Sequence, residues 1–96
     1  MSYYSKKNYK LLGFKKSDRK NKKYYAILEN KLNKSLVKVH FGHPSYQHYR
    51  DITGLTDYTH LNHNDPERRR LYRMRHNRDI KDGYYSPGFF AYYYLW

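Results

Sequence analysis

Tyrosine decides what this chain can fold into. Fourteen of the 96 residues are Tyr, whereas Leu, Ile, Val and Phe together number eighteen. So small an aliphatic share, joined to a high net charge, is the composition of disordered chains. Aromatic side chains reverse that expectation, because each buries about 150–250 Å². One small domain with a thin aromatic core is therefore expected, its stability marginal at this length and open to completion by a partner.

Charge narrows the partners. Twelve Lys and eight Arg face eight acids, giving +12 at neutral pH. A compact state of that charge repels itself unless something anionic neutralises it. Nucleic acid, an acidic protein lattice and an anionic membrane are the candidates. The absence of Cys excludes disulfides, thiolate zinc sites and a Cys nucleophile. No apolar stretch is long enough to span a bilayer, so no transmembrane segment is expected. The opening Met1-Ser2-Tyr3-Tyr4-Ser5-Lys6-Lys7 lacks the apolar run of a secretory signal.

The pattern along the chain predicts α+β: a small antiparallel sheet of two or three strands packed by short helices, with an extended basic N-terminal arm. The arm spans 1–21 and the domain 22–96. Residues 1–23 hold nine bases and one acid, Asp18, with a possible third strand over 9–14. Residues 22–29 and 36–41 read as a hairpin, with Val37, Val39 and Phe41 on the inner face and Leu36, Lys38 and His40 on the outer. Ser45 is placed to cap a short helix carrying Tyr46 and Tyr49, and 51–64 reads as irregular. Asp65-Pro66-Glu67 starts the clearest helix, with Leu71, Met74 and Tyr72 as a narrow apolar stripe. Ser86-Pro87 starts a second helix through Trp96 that is apolar all round and so must be buried.

Six arginines fall within eleven residues: Arg68, Arg69, Arg70, Arg73, Arg75 and Arg78. A planar guanidinium binds two oxygens of a phosphate or carboxylate at once, so this helix is the expected binding surface, with Arg69 and Arg73 sharing one face. Arg side chains not so engaged are expected on tyrosines or beside Asp57, Asp79 and Asp82. Lys6, Lys7, Lys10, Lys15 and Lys16 make the arm a second basic surface, suited to a phosphate backbone or an acidic protein. Tyr3, Tyr4, Tyr9, Leu11 and Phe14 are its expected anchors on a neighbouring subunit. His60 and His63 lie three apart near Asp65, too close for the hairpin and helix of a histidine-asparagine-histidine nuclease. Backbone capping is the role expected of them, and neither a metal nor a cofactor. No nucleotide loop, nucleophile elbow or zinc-protease motif occurs, and no enzyme is expected.

The succession Val39-His40-Phe41-Gly42, Ser45-Tyr46, Tyr49-Arg50-Asp51, His63-Asn64-Asp65, Arg68-Arg69 with Tyr72, Arg75-His76, Ser86-Pro87-Gly88-Phe89-Phe90 and Tyr94-Leu95-Trp96 resembles a group of small basic proteins of large DNA viruses of algae and protists, and of some phages. The resemblance covers roughly 22–96 and carries no catalytic residue with it. It implies a viral source and a virion component. The resulting expectation is a minor capsid protein whose basic residues bridge acidic faces of neighbouring subunits. A nucleic-acid-binding protein for genome packaging or condensation is the alternative.

Overall fold

The computed structural model describes residues 4–80 and 84–96, and of Asp79 the backbone alone. The fold is α+β. Strands β2 (Tyr9–Lys16), β3 (Tyr24–Asn30) and β4 (Leu36–Phe41) form an antiparallel sheet in the order β2-β3-β4. A two-residue strand β1 (Tyr4–Ser5) pairs with β5 (Tyr84–Tyr85). Helices α1 (Pro66–Arg75) and α2 (Pro87–Tyr94) follow the sheet, with single 3-10 turns at Thr59–Leu61 and Asn77–Ile80.

Alternation sets the sheet. Tyr24, Ala26 and Leu28 of β3 point inward with Val39 and Phe41 of β4, and all five are buried. The partner rows follow directly: Phe14 opposes Ala26, which opposes Val39. β3 and β4 turn over at 30–35, where Asn30 Oδ1 accepts the Leu32 and Asn33 N–H groups and Lys34 takes a φ of 65°. Helix α2 closes the inner face. Ser86 accepts the Phe89 N–H as N-cap and Pro87 opens the first turn. Phe90 then lands between Phe41 and Phe14, with ring centroids 5.5 and 5.8 Å away, and Leu95 seals the end. The core is aromatic, as the composition demands. The helix is not buried all round, because Tyr93 keeps one side in solvent.

The expected arm contributes the third strand. Residues 9–16 pair along the whole of β3, so the division at 21/22 falls inside a strand-to-strand connection of one sheet. Tyr4, Tyr9, Leu11 and Phe14, expected to anchor on a neighbour, pack against the chain's own core. Tyr3 lies outside the described residues, as do Lys81, Asp82 and Gly83. Among the described residues no helix is long and apolar enough to cross a membrane.

The helix expected after Ser45 is absent. His43 Nδ1 takes the Ser45 N–H, its ring stacks on Tyr46 at 4.4 Å, Tyr46 N–H closes a turn onto the His43 carbonyl, and the chain runs on irregularly. Its backbone is needed elsewhere: His48 N–H donates to Leu61, His63 N–H to His48, Arg50 N–H to Leu95 and Ile52 N–H to Tyr94. A helix over 45–49 would withdraw those groups from the 61–64 and 94–95 segments that they join.

Candidate polyanion-binding surfaces

Asp65 starts α1 as expected, accepting the Glu67 and Arg68 N–H groups, with Pro66 behind it. Of the expected stripe only Tyr72 turns inward. Leu71 and Met74 are 42% and 64% exposed, and no residue of α1 is buried. The inward face is Arg69, Tyr72 and Arg73. Arg69 Nε donates to the Trp96 carbonyl oxygen at 2.7 Å and Arg73 Nε to the same oxygen at 3.2 Å. The Arg69 guanidinium lies over Tyr49 at 4.9 Å and that of Arg73 over Tyr92 at 4.7 Å. Tyr72 stacks nearly parallel on Trp96, 4.2 Å between centroids. The physical reason is the surface α1 meets. It is made of rings, on which an arginine lays its apolar stem and planar head better than a leucine packs.

The six arginines are thus divided. Arg69 and Arg73 hold the fold together. Arg68, Arg70, Arg75 and Arg78 are exposed. Arg68 reaches Gln47 Oε1 at 2.9 Å, Arg70 pairs with Glu67, and Arg75 Nε lies 3.4 Å from the Leu71 carbonyl. Asp57, expected beside an arginine, is 4.0 Å from Lys16 instead. The expected Asp79 and Asp82 contacts fall outside what is described. A notch of about 240 Å³ opens where Arg50, Arg69 and Arg73 meet Tyr93 and Trp96, with no Asp or Glu among its lining residues.

The lysines of the arm divide as well. Lys6 places its ammonium 4.1 Å from the Phe89 ring centre, and Lys7 is exposed in the turn before β2. Lys10 and Lys15 stand on the outer face of the sheet, where β4 adds Lys38. That face also carries Tyr25 and His40, 5.3 Å apart, with Lys38 Nζ 4.8 Å over Tyr25.

One cluster gave no signal in the sequence. Lys23, at the start of the expected strand over 22–29, is 2% exposed, and His48 is fully buried. Lys23 Nζ donates to the Tyr46 carbonyl and to His48 Nδ1, both at 2.7 Å. His48 Nε2 therefore carries the proton, an assignment made from its partners, and donates to Asn62 Oδ1. Asn62 Oδ1 also accepts the Asp51 N–H at 2.9 Å, and the Asp51 carboxylate takes the Tyr24 hydroxyl. Burial lowers Lys23 to about 8 against the pull of Asp51, and lowers His48 to about 4 with the help of the Lys23 charge. Burial, then the Asp51 carboxylate, raise Tyr24. Gly42, at φ 76°, abuts the Lys23 stem: an added Cβ would stand 3.1 Å from its Cδ. With its ammonium held by the Tyr46 carbonyl and His48, Lys23 ties the start of β3 to the 46–62 segment. The partners stand 23 to 25 residues away, beyond any local pattern.

His63 takes the backbone role expected of it, with Nδ1 accepting the Asp65 N–H at 2.9 Å, while His60 is exposed. Among the described residues no group of three His, Asp or Glu side chains is placed to hold a metal ion. Comparison with protein-family models, curated proteins and solved structures finds no match for this chain.

Proposed function

We propose that the protein is a non-catalytic structural component of a virus particle, a minor capsid protein docked on acidic faces of neighbouring subunits. The observation that carries this reading is the outer face of α1, where Leu71 and Met74 are exposed among Arg68, Arg70 and Arg75. Arginine, methionine and large apolar groups side by side are what protein interfaces concentrate. Exposed charges alone contribute about 0–1 kcal/mol a pair, so the two apolar side chains supply what the arginines lack. The resemblance to proteins of large DNA viruses supports the virion as the place.

The test is mass spectrometry of purified particles separated into shell and core, followed by Leu71→Ser/Met74→Ser. The chain is expected in the shell fraction, and the variant is expected to melt like the parent yet leave the particle. Recovery in the core alone, or normal incorporation of the variant, would overturn the reading. A second reading, nucleic-acid binding for packaging or condensation, is favoured by the lysines on the outer face of the sheet.

A further inference from the structure

The outer face of the three-stranded sheet is laid out in rows by strand register. Lys15, Tyr25 and His40 form one row, Gly13, Ile27 and Lys38 the next, and Lys10, Glu29 and Leu36 the last. Helix α2 packs on the opposite face through Phe90. Lys10, Lys15 and Lys38 are exposed. The one carboxylate in the rows, Glu29, is 4.0 Å from Lys34. At the Tyr25 end the strand runs into Lys16, Arg19, Lys20 and Lys22, against Asp18.

Two details turn this charged face into a shaped one. Gly13 sits in the middle row, and a Cβ built there meets no atom within 4 Å. The backbone there is open, next to the exposed Leu12 at a register shift in the edge strand, across from Ile27 and between Lys10 and Lys15 along β2. In the next row, Tyr25 and His40 present rings 5.3 Å apart, and Ser17 Oγ fixes the His40 ring at 2.7 Å. Burial, with Arg19, Lys38 and Lys22 around it, lowers the His40 pKa against the pull of Asp18, so the ring is neutral at neutral pH. Lys38 rests on the Tyr25 ring by a flexible four-carbon stem and is free to swing onto a phosphate.

We propose that this face binds single-stranded nucleic acid, with bases stacked on Tyr25 and His40 and seated over Gly13, and phosphates on Lys10, Lys15 and Lys38. The inference rests on the nucleic-acid reading and narrows it. Open sheet faces that combine rings with cations hold two or three unpaired bases. Rows about 7 Å apart along a strand give room for that number. Duplex DNA reaches the same lysines, but its bases are already stacked on one another and gain nothing from Tyr25.

The test is fluorescence anisotropy of the full chain with a labelled oligothymidine and with a duplex of equal length, titrated with salt. The single strand is expected to bind more tightly. Tyr25→Ala is expected to weaken it about tenfold and to leave the duplex unchanged. Gly13→Val covers this open backbone and is expected to weaken the single strand while the melting temperature holds, since its Cβ meets nothing and Val suits a strand. Lys15→Gln and Lys38→Gln each lower the salt slope by about 0.7. Equal affinity for both nucleic acids, or full single-strand affinity in Tyr25→Ala and Gly13→Val, overturns the platform and leaves general nucleic-acid binding standing. No binding of either at low salt overturns both.

Discussion

Arg69 and Arg73 converge on one acceptor, the Trp96 carbonyl, and each covers a tyrosine ring. A hydrogen bond from a charged donor contributes about 1.5–3 kcal/mol, so Arg69→Ala should cost roughly 2 kcal/mol in urea unfolding. Arg69→Lys should recover little, because an ammonium neither stacks nor forks as a guanidinium does. The double variant should cost more than the sum, since after either single change the other arginine still satisfies the oxygen and only the double change leaves it unpaired. Arg75→Ala, on the outer face, should stay within about 0.5 kcal/mol. Additive losses in the pair, or none, would show that the inward face is not what binds α1. The buried lysine makes a second residue-level prediction. His48 titrates at about 4 rather than 6.5, so the native state resists its protonation, and stability falls as pH drops from 6.5 towards 4, by about 3 kcal/mol in all. Lys23 titrates at about 8 rather than 10.5, so its charge burdens the native state below 8, and stability rises again between 8 and 10.5. The raised Tyr24 opposes this above pH 10, where its hydroxyl ionises more readily in the unfolded chain. Lys23→Met should flatten the alkaline rise and shrink the acid fall without abolishing it, because burial, the larger cause of the His48 shift, remains. A parent chain most stable near pH 6 would contradict the account. None of this was legible in Lys22-Lys23, which reads like any other pair in a lysine-rich run.

Elements were legible where their signals are local. Asp65-Pro66 and Ser86-Pro87 start α1 and α2, and the period of two in 36–41 places Val39 and Phe41 in the core. What failed was orientation and exception. Leu71, Met74 and Tyr72 mark the apolar stripe of α1, yet ring-lined ground keeps only Tyr72 of the three and adds Arg69 and Arg73. Ser45 has the chemistry of a cap, yet the segment after it is irregular and spends its backbone N–H groups on Leu61, Leu95 and Tyr94. Both outcomes depend on partners distant in sequence. The candidate surface was legible as composition and not as geometry, because the arginines and lysines each divide between core-facing and solvent-facing positions. The two helices should accordingly respond differently to damage. Asp65→Ala removes one cap and should cost about 1 kcal/mol, with the melt still cooperative. Deleting 89–96 removes Phe90 and Leu95, both essentially unexposed, together with the Trp96 acceptor of α1. Each large core loss costs about 3–5 kcal/mol, which two such losses carry past the stability of a small domain. The truncated chain should lose cooperative melting by circular dichroism; retention of it would mean that the sheet stands without α2.

At the scale of the whole molecule, rings take much of the place that acids hold in other proteins. Lys6, Lys38, Arg50, Arg69 and Arg73 each lie over a tyrosine or phenylalanine, while the ion pairs among the described residues are Lys16–Asp57, Lys34–Glu29 and Arg70–Glu67. Cations held this way are attracted to the fold without being neutralised, so the +12 remains as self-repulsion across a body of 41 × 27 × 21 Å. At about 0.1 M salt the screening length is near 10 Å, shorter than every one of those dimensions. Moderate salt should therefore raise the melting temperature, the opposite of what a fold resting on surface ion pairs would do. A polyanion that binds the native state should raise it further, by about 2.7 kcal/mol at a hundredfold excess over its dissociation constant. In a domain of this size each kcal/mol corresponds to about 4–8 °C, so scanning calorimetry resolves the two contributions. Melting in low salt, in moderate salt and in low salt with a short polyanion should give three ascending temperatures. A fall from low to moderate salt would show that ion pairs outweigh repulsion. A polyanion that moves nothing beyond its own ionic strength would show that the basic faces have no affinity for one.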